Sequence, residues 1–354
     1  MIAVVKVGTS SITDDVGHID RAAIAKVCAE INQARHGGHQ VVLVSSGAIA
    51  AGLPVLGLSA KDRPRDARTL QAVSAVGQAR LMATYNECFA ELDNTIAGQV
   101  LLVPDDLNKR TTYLQARATL DRLLELGVVP IINENDAIAD DEIRIGDNDR
   151  IAALVAQLIK ADVLVLLTDA AGLLTADPRI DAAASLIEDV LEVDHDLEVL
   201  AGGSSSNRGS GGMATKLAAA KIATYSGIRT VIAAASRPSV IADALESVPG
   251  VGTIVHPAPR RLSARKVWIA FAVGAKGRIH VDAGAKAAVL RDGSLLAPGI
   301  RTVEGVFARK DAVEIVGPDG DVFAKGTVRI DSASLGVGDQ RGVAIHKDDL
   351  VVLT

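Results

Sequence analysis

The sequence predicts an α/β protein, a parallel sheet with helices on both faces, followed by a small β-rich domain. Three observations carry this. Over about the first 255 residues, short continuous apolar runs alternate with helical patterns, as strand–helix–strand crossovers require. Hydrophobic residues make up 49% of the 354-residue chain but aromatics only 2%. The core must therefore be built from Val, Ile, Leu and Ala, the palette of strands buried on both faces. The alternation stops near Pro257-Ala258-Pro259, where proline cannot continue regular structure.

Taken in order, Ile2–Val7 reads as the first strand and Arg21–His36 as a helix ended by Gly37-Gly38. Gln40–Ser45 is the second strand, and Gly47-Ala48-Ile49-Ala50-Ala51-Gly52 opens a helix. Ala67–Leu92 reads as a long helical region. Gly98–Val103, Val128–Asn133, Val163–Thr168 and Thr230–Ala234 are further strands, separated by helices at Tyr113–Leu126, Ile151–Ala161 and Met213–Ser226. Asp141–Ile145 suits a small hairpin arm. Beyond the prolines, strands at Arg278–Asp282, Ala312–Val316 and Val322–Ile330 are punctuated by Asp292-Gly293, Pro298-Gly299 and Pro318-Asp319-Gly320, which are turn signals.

Composition narrows the function. The net charge of −6 argues against a general nucleic-acid binder, although residues 261–354 hold 14 basic and 11 acidic side chains, hence +3, and the rest carries −9. Cys28 and Cys88 sit in apolar helical patterns and read as buried packing residues, not a disulfide framework. No Cys-x-x-Cys, metal-ligand histidine spacing or Gly-x-Ser-x-Gly elbow occurs, so zinc and serine-hydrolase chemistry lack support. The chain opens directly on a strand with no leader pattern. No apolar run approaches the ~20 residues of a membrane span. The expectation is a cytoplasmic protein with no membrane partner.

Five motifs could carry chemistry. The Gly/Ser segment Gly202–Gly212 runs into Met213-Ala214-Thr215-Lys216. Glycines and the free amides of a helix start make an anion site to which Lys216 adds charge, although the composition equally suits a surface linker. Lys6-Val7-Gly8 ends the first strand, where open α/β sheets bind ligands; a solvated strand-end lysine is the plainer reading. Ser45-Ser46-Gly47 suits a carboxylate, a phosphate or an ordinary helix cap. Asn133-Glu134-Asn135-Asp136 and Gly146-Asp147-Asn148-Asp149 could grip an ammonium group, hold magnesium through water or position a lysine, with Asp149 alternatively a helix cap. Leu167-Thr168-Asp169 closes a strand as a nucleotide-contacting edge or a simple turn. Two lysines, an anion loop and a carboxylate–amide cluster fit phosphoryl transfer, where catalysis is mostly electrostatics and alignment.

Together these segments, in this order, resemble the motif set of the glutamate 5-kinases of the amino-acid-kinase superfamily. The tail, with Gly277–Ala285 and Ser294–Gly305, resembles a PUA domain. The resemblance implies a three-layer αβα, carbamate-kinase-like sheet over residues 1–258 and a PUA-like β domain over 259–354. It implies ATP and Mg2+ as cofactors and L-glutamate as the substrate phosphorylated on its side-chain carboxylate. Carried over, Lys6 and Lys216 contact the ATP phosphates and Asp149 orients them. Ser46, Asp136 and Asn148 bind glutamate, with Asn133 and Asp147 nearby. Thr168, Asp169, Ser210, Gly211, Gly212, Met213, Ala214, Thr215 and Lys216 line the nucleotide site. The family also implies a homo-oligomer and feedback inhibition by proline, with control expected in a loop around Leu58–Ala75.

Aspartokinase, acetylglutamate kinase and uridylate kinase share the fold, but the tail and the paired Asn/Asp loops favour the first assignment. The reading from another class is an RNA-binding or RNA-modification protein acting through the PUA-like tail. It is not favoured, because +3 over the tail is modest and only Trp268, Phe271, Phe307 and Phe323 are available there for stacking.

Overall fold

The computed structural model describes residues 1–354 except 15, 60–62, 108, 139–147, 179, 182, 203–211, 260, 336–341 and 354. The expected hairpin arm at Asp141–Ile145 lies outside the described residues. Two compact units emerge, Met1–Arg261 and Leu262–Thr354.

The first unit contains β1 (Ile2–Val7), β2 (Gln40–Ser45), β3 (Ala97–Leu102), β4 (Val129–Glu134), β5 (Val163–Thr168), β6 (Asp189–Val190), β7 (Arg229–Ala234) and β8 (Thr253–Val255). They form one sheet in the order β3-β4-β2-β1-β5-β7-β8-β6. Its helices are α1 (Arg21–His36), α2 (Ala48–Val55), α3 (Ala67–Ala90), α4 (Arg110–Glu125), α5 (Asn148–Leu158), α6 (His195–Gly202), α7 (Met213–Tyr225) and α8 (Val240–Glu246). The sheet is parallel from β3 through β7, as expected, and at its far edge β8 runs antiparallel to β7, with β6 parallel to β8. Both short strands escaped the sequence reading. Gly252 permits the reversal, since a Cβ there would lie 2.2 Å from the Ile232 carbonyl oxygen.

Strand alternation sorts β1 between the two faces of the sheet. Ala3, Val5 and Val7 join a core with Ile24, Ile31, Leu81, Tyr85 and Ile241 from α1, α3 and α8. Lys6 therefore projects to the other face, where α5 packs on β1 and α7 on α5. The α1 helix starts at Asp20, whose carboxylate accepts the Ala22 and Ala23 amides at 2.8 and 3.2 Å, an N-cap. Between α2 and α3 the backbones nearly touch. A Cβ on Gly77 would sit 1.7 Å from Ala48 O, and one on Gly52 2.1 Å from Val73 O. That contact fixes the rotation of α3 and turns Ser74, Gln78, Leu81 and Tyr85 inward as one buried stripe. The region named for feedback control is only partly a loop, because Ala67–Ala75 already belongs to α3. Cys28 and Cys88 are buried and free, as their apolar setting predicts.

The second unit is β-rich. The strands β9 (Gly277–Val281), β10 (Leu295–Leu296), β11 (Ile300–Gly305), β12 (Ala312–Val316), β13 (Val322–Thr327), β14 (Val343–Ile345) and β15 (Leu350–Val352) make a five-stranded sheet, β11-β9-β12-β13-β15, and a β10-β14 pair. Ile279, Val313, Ile315, Phe323 and Ile345 fill its core. The strand expected over Val322–Ile330 ends at Thr327.

Candidate active site

The carboxyl ends of β1, β2, β4 and β5 and the amino ends of α5 and α7 meet at one edge of the sheet. Lys6 comes from β1, Lys216 from α7 and Asp149 from the first turn of α5. Helix α5 starts at Asn148, three residues earlier than the apolar pattern suggests, so Asp149 lies inside the helix and is not its cap. The pattern begins at Ile151 because Asn148 and Asp149 are polar yet buried at 4% and 1% exposure.

The two lysines converge on that carboxylate. Lys6 Nζ pairs with Asp149 Oδ1 at 2.7 Å and Lys216 Nζ with Oδ2 at 3.4 Å. Thr215 Oγ1 donates to Oδ2 at 2.7 Å. Both lysines are about 5% exposed. Burial alone would push the Asp149 carboxyl up, but the two ammonium groups and the hydrogen bonds outweigh it and hold the group at about 2. Burial lowers Lys216 from the usual lysine range, opposed by Asp149 and reinforced by Lys6. Two cations around one anion leave a net positive charge in a dry setting, which suits phosphate oxygens. A Cβ on Gly8 would stand 3.4 Å from Lys6 Nζ, so glycine keeps side-chain bulk away from the ammonium. Gly212 is the N-cap of α7 and no side-chain cap is found among the described residues, which leaves first-turn amides, near Met213 and Ala214, for an anion. Thr168 Oγ1 donates to Asp169 Oδ1 at 3.0 Å where β5 ends.

A second group lies beside the first. Asn148 Nδ2 donates to Ser46 Oγ at 3.2 Å and to Asn133 Oδ1 at 2.9 Å. Asn148 Oδ1 and Asn133 Oδ1 both accept the Glu134 amide, at 3.1 and 2.8 Å. The amides thereby bind the ends of β2, β4 and α5 into one unit. Asp136 follows β4, is 6% exposed, and accepts Ser74 Oγ on Oδ2 at 2.7 Å. Among the described residues, Asp136 Oδ1 and Asn133 Nδ2 are buried without a hydrogen-bond partner. Buried polar atoms are normally paired, so these are openings for a polar ligand. Burial raises the Asp136 carboxyl above the usual range, against the Ser74 bond and the Arg63 charge.

The structure thus joins Lys6, Lys216, Asp149 and Thr215 in one cluster and Ser46, Asn133 and Asn148 in another. Asp147, Ser210 and Gly211 lie outside the described residues. The sequence reading missed Ser74. Its signal was available: Ser74 and Gln78 are polar positions, one turn apart, on the stripe of α3 that continues through Leu81 and Tyr85.

The amino acid kinase family model matches residues 1–234. The chain belongs to the amino acid kinase family. The PUA domain model matches residues 277–346. Among curated relatives within the family, the glutamate 5-kinase of Frankia casuarinae is 46% identical over 99% of this chain and 96% of its own length. That of Pelobacter propionicus is 44% identical over 99% and 97%, and that of Herpetosiphon aurantiacus 45% over 99% and 98%. In structure, the UMP kinase of Bacillus anthracis matches with a TM-score of 0.50 at 14% identity, covering 72% of this chain and 96% of that one. A Giardia carbamate kinase matches at 0.50 and 16%, covering 72% and 98%. These likenesses establish the carbamate-kinase-like αβα fold of the larger unit. No helix among the described residues is long and apolar enough to cross a membrane.

Proposed function

We propose that this chain is an ATP-dependent kinase of L-glutamate, forming L-glutamyl 5-phosphate and ADP in the first step of proline biosynthesis. The observation that carries the reading is the buried Lys6–Asp149–Lys216 array at the carboxyl edge of the sheet, in a chain whose near-full-length relatives are glutamate 5-kinases. An RNA-directed activity of the tail is not favoured, since those relatives span both units and are named for the kinase reaction. Residues 1–258 are taken as the catalytic domain and 259–354 as the PUA-like domain.

In the reaction, a side-chain carboxylate oxygen of glutamate forms a bond to the γ-phosphorus as the bond from that phosphorus to the β–γ bridging oxygen breaks and ADP leaves. The acceptor is already ionised at neutral pH, so no general base is needed. Lys6 and Lys216 neutralise charge on the moving phosphoryl group and the bridging oxygen, while Asp149 and Thr215 hold their positions. The start of α7, with Gly211–Ala214, and the Thr168–Asp169 edge accept the remainder of the nucleotide. Asp136 receives the substrate ammonium group, and Ser46, Asn133 and Asn148 supply polar contacts to the acceptor.

Among the described residues no three His, Cys, Asp or Glu side chains gather as a metal cage, and both Asp149 oxygens face lysine. With that carboxylate engaged by lysines, magnesium would arrive with the ATP phosphates and would shield phosphate charge there. Proline shares the α-carboxylate and an ammonium centre with glutamate and so competes for the same cradle. A cytoplasmic location and assembly as a homo-oligomer belong to the same reading.

ADP release measured with glutamate, aspartate, acetylglutamate and UMP as acceptors tests the assignment. The expected result is Mg2+-dependent turnover with glutamate alone. Turnover with aspartate and none with glutamate would replace the assignment by an aspartokinase.

A further inference from the structure

We propose that Ser74 is a positioning residue for the substrate amine, clamping one oxygen of Asp136 so that the other is presented to the acceptor site. The inference rests on the reading of Asp136 as the ammonium receptor.

Serine inside a helix ordinarily turns its hydroxyl back to a carbonyl one turn earlier. Ser74, in the middle of α3 and 1% exposed, instead reaches across to Asp136 Oδ2 at 2.7 Å, linking positions 62 residues apart. The length is that of a hydroxyl donating to a charged carboxylate. The other oxygen, Oδ1, is buried and has no hydrogen-bond partner among the described residues. A carboxylate held by one oxygen has its plane fixed and offers the second in a set direction; without the clamp the terminal torsion is broad. Two further contacts keep the clamp in place. The Gly77–Ala48 backbone approach prevents α3 from rotating. About three turns farther along the same face, Tyr85 Oη and Ser45 Oγ share a hydrogen bond of 2.8 Å that ties α3 to the end of β2. The Ser74 bond also offsets part of the burial that disfavours an ionised Asp136.

The test is steady-state kinetics on the full chain for Ser74→Ala, Ser74→Cys, Asp136→Asn and the Ser74→Ala/Asp136→Asn double variant, with thermal unfolding of each. Losing a hydrogen bond to a charged group should raise the KM for glutamate about tenfold in Ser74→Ala. The KM for ATP and kcat should stay within about twofold. Ser74→Cys, which keeps a weak donor, should fall between Ser74→Ala and the parent. In the Asp136→Asn background, Ser74→Ala should add less than about twofold, because the two act as one unit. An unchanged glutamate KM in Ser74→Ala, equal shifts in both KM values, or penalties that simply multiply in the double variant would overturn the proposal. If Asp136→Asn raises the glutamate KM and Ser74→Ala does not, only the clamp is wrong. If Asp136→Asn itself leaves that KM unchanged, the receptor reading fails and the clamp falls with it.

Discussion

Asp149 and Asp136 lie at the same edge of one sheet, both almost fully buried, yet their surroundings are opposite. Asp149 has lysines on both oxygens and a threonine hydroxyl besides, and is held at about 2. Asp136 has one serine donor and an open oxygen, and burial raises its carboxyl. The difference separates two jobs. At the phosphate end the carboxylate serves the protein's own cations, each of its oxygens paired with a lysine before any ligand binds. At the acceptor end the carboxylate serves a cation the substrate brings, so the fold leaves it under-compensated. Groups that position can be satisfied in advance; groups that receive must wait.

The sharpest way to break this division is Lys216→Ala. Removing a preorganised cation from a water-poor site should lower kcat about 1,000-fold and leave the glutamate KM nearly unchanged. A loss below about tenfold would reject its electrostatic role.

Next comes Asp149→Asn. Two buried lysines then face each other without a counter-charge, which should cost about 3 kcal/mol of stability, read by denaturant unfolding. Lys216, already lowered by burial, should fall further, so the residual activity should rise as pH drops and the lysine regains its proton. The parent shows the converse link between charge and stability. The folded Asp149 lies below its unfolded value of about 3.9, so its stabilisation is complete above that pH and lost as pH falls towards about 2. An Asp149→Asn variant as stable as the parent at neutral pH would show that the array is not closed.

Asp136→Asn should act the other way. A carboxyl raised by folding is destabilising once ionised, through the pH window between its unfolded and folded values and at every pH above it. Neutralising it should raise the melting temperature by about 1–3 °C while the glutamate KM climbs about a hundredfold. A fall in both stability and affinity would make Asp136 a structural residue.

The sequence displayed the sheet more clearly than the site. Ile2–Val7, Gln40–Ser45 and Val163–Thr168 occur at their expected bounds, because unbroken runs of Val, Ile and Leu have few alternatives to a buried strand. Strand direction is not written in such runs, so β8, three residues behind a glycine turn, was invisible. The two lysines and Asp149 could be named because each stands beside a glycine or a helix start, where polar residues are conspicuous. That they share one carboxylate is long-range information, from β1, α5 and α7 together. Ser74 went unnoticed for a different reason: a single serine in a long helix looks like a neutral surface position until the Gly52–Gly77 contact shows which face is inside.

The most direct measurement is a carbon-13 NMR titration of the aspartate carboxyls, with Asp149 and Asp136 assigned by substitution, with and without glutamate. The account predicts Asp149 titrating well below the ordinary aspartate value and unmoved by glutamate. Asp136 should titrate above that value in the free protein and shift downward when the ammonium group arrives. Both carboxyls titrating together near about 4, or glutamate moving Asp149 and not Asp136, would contradict it.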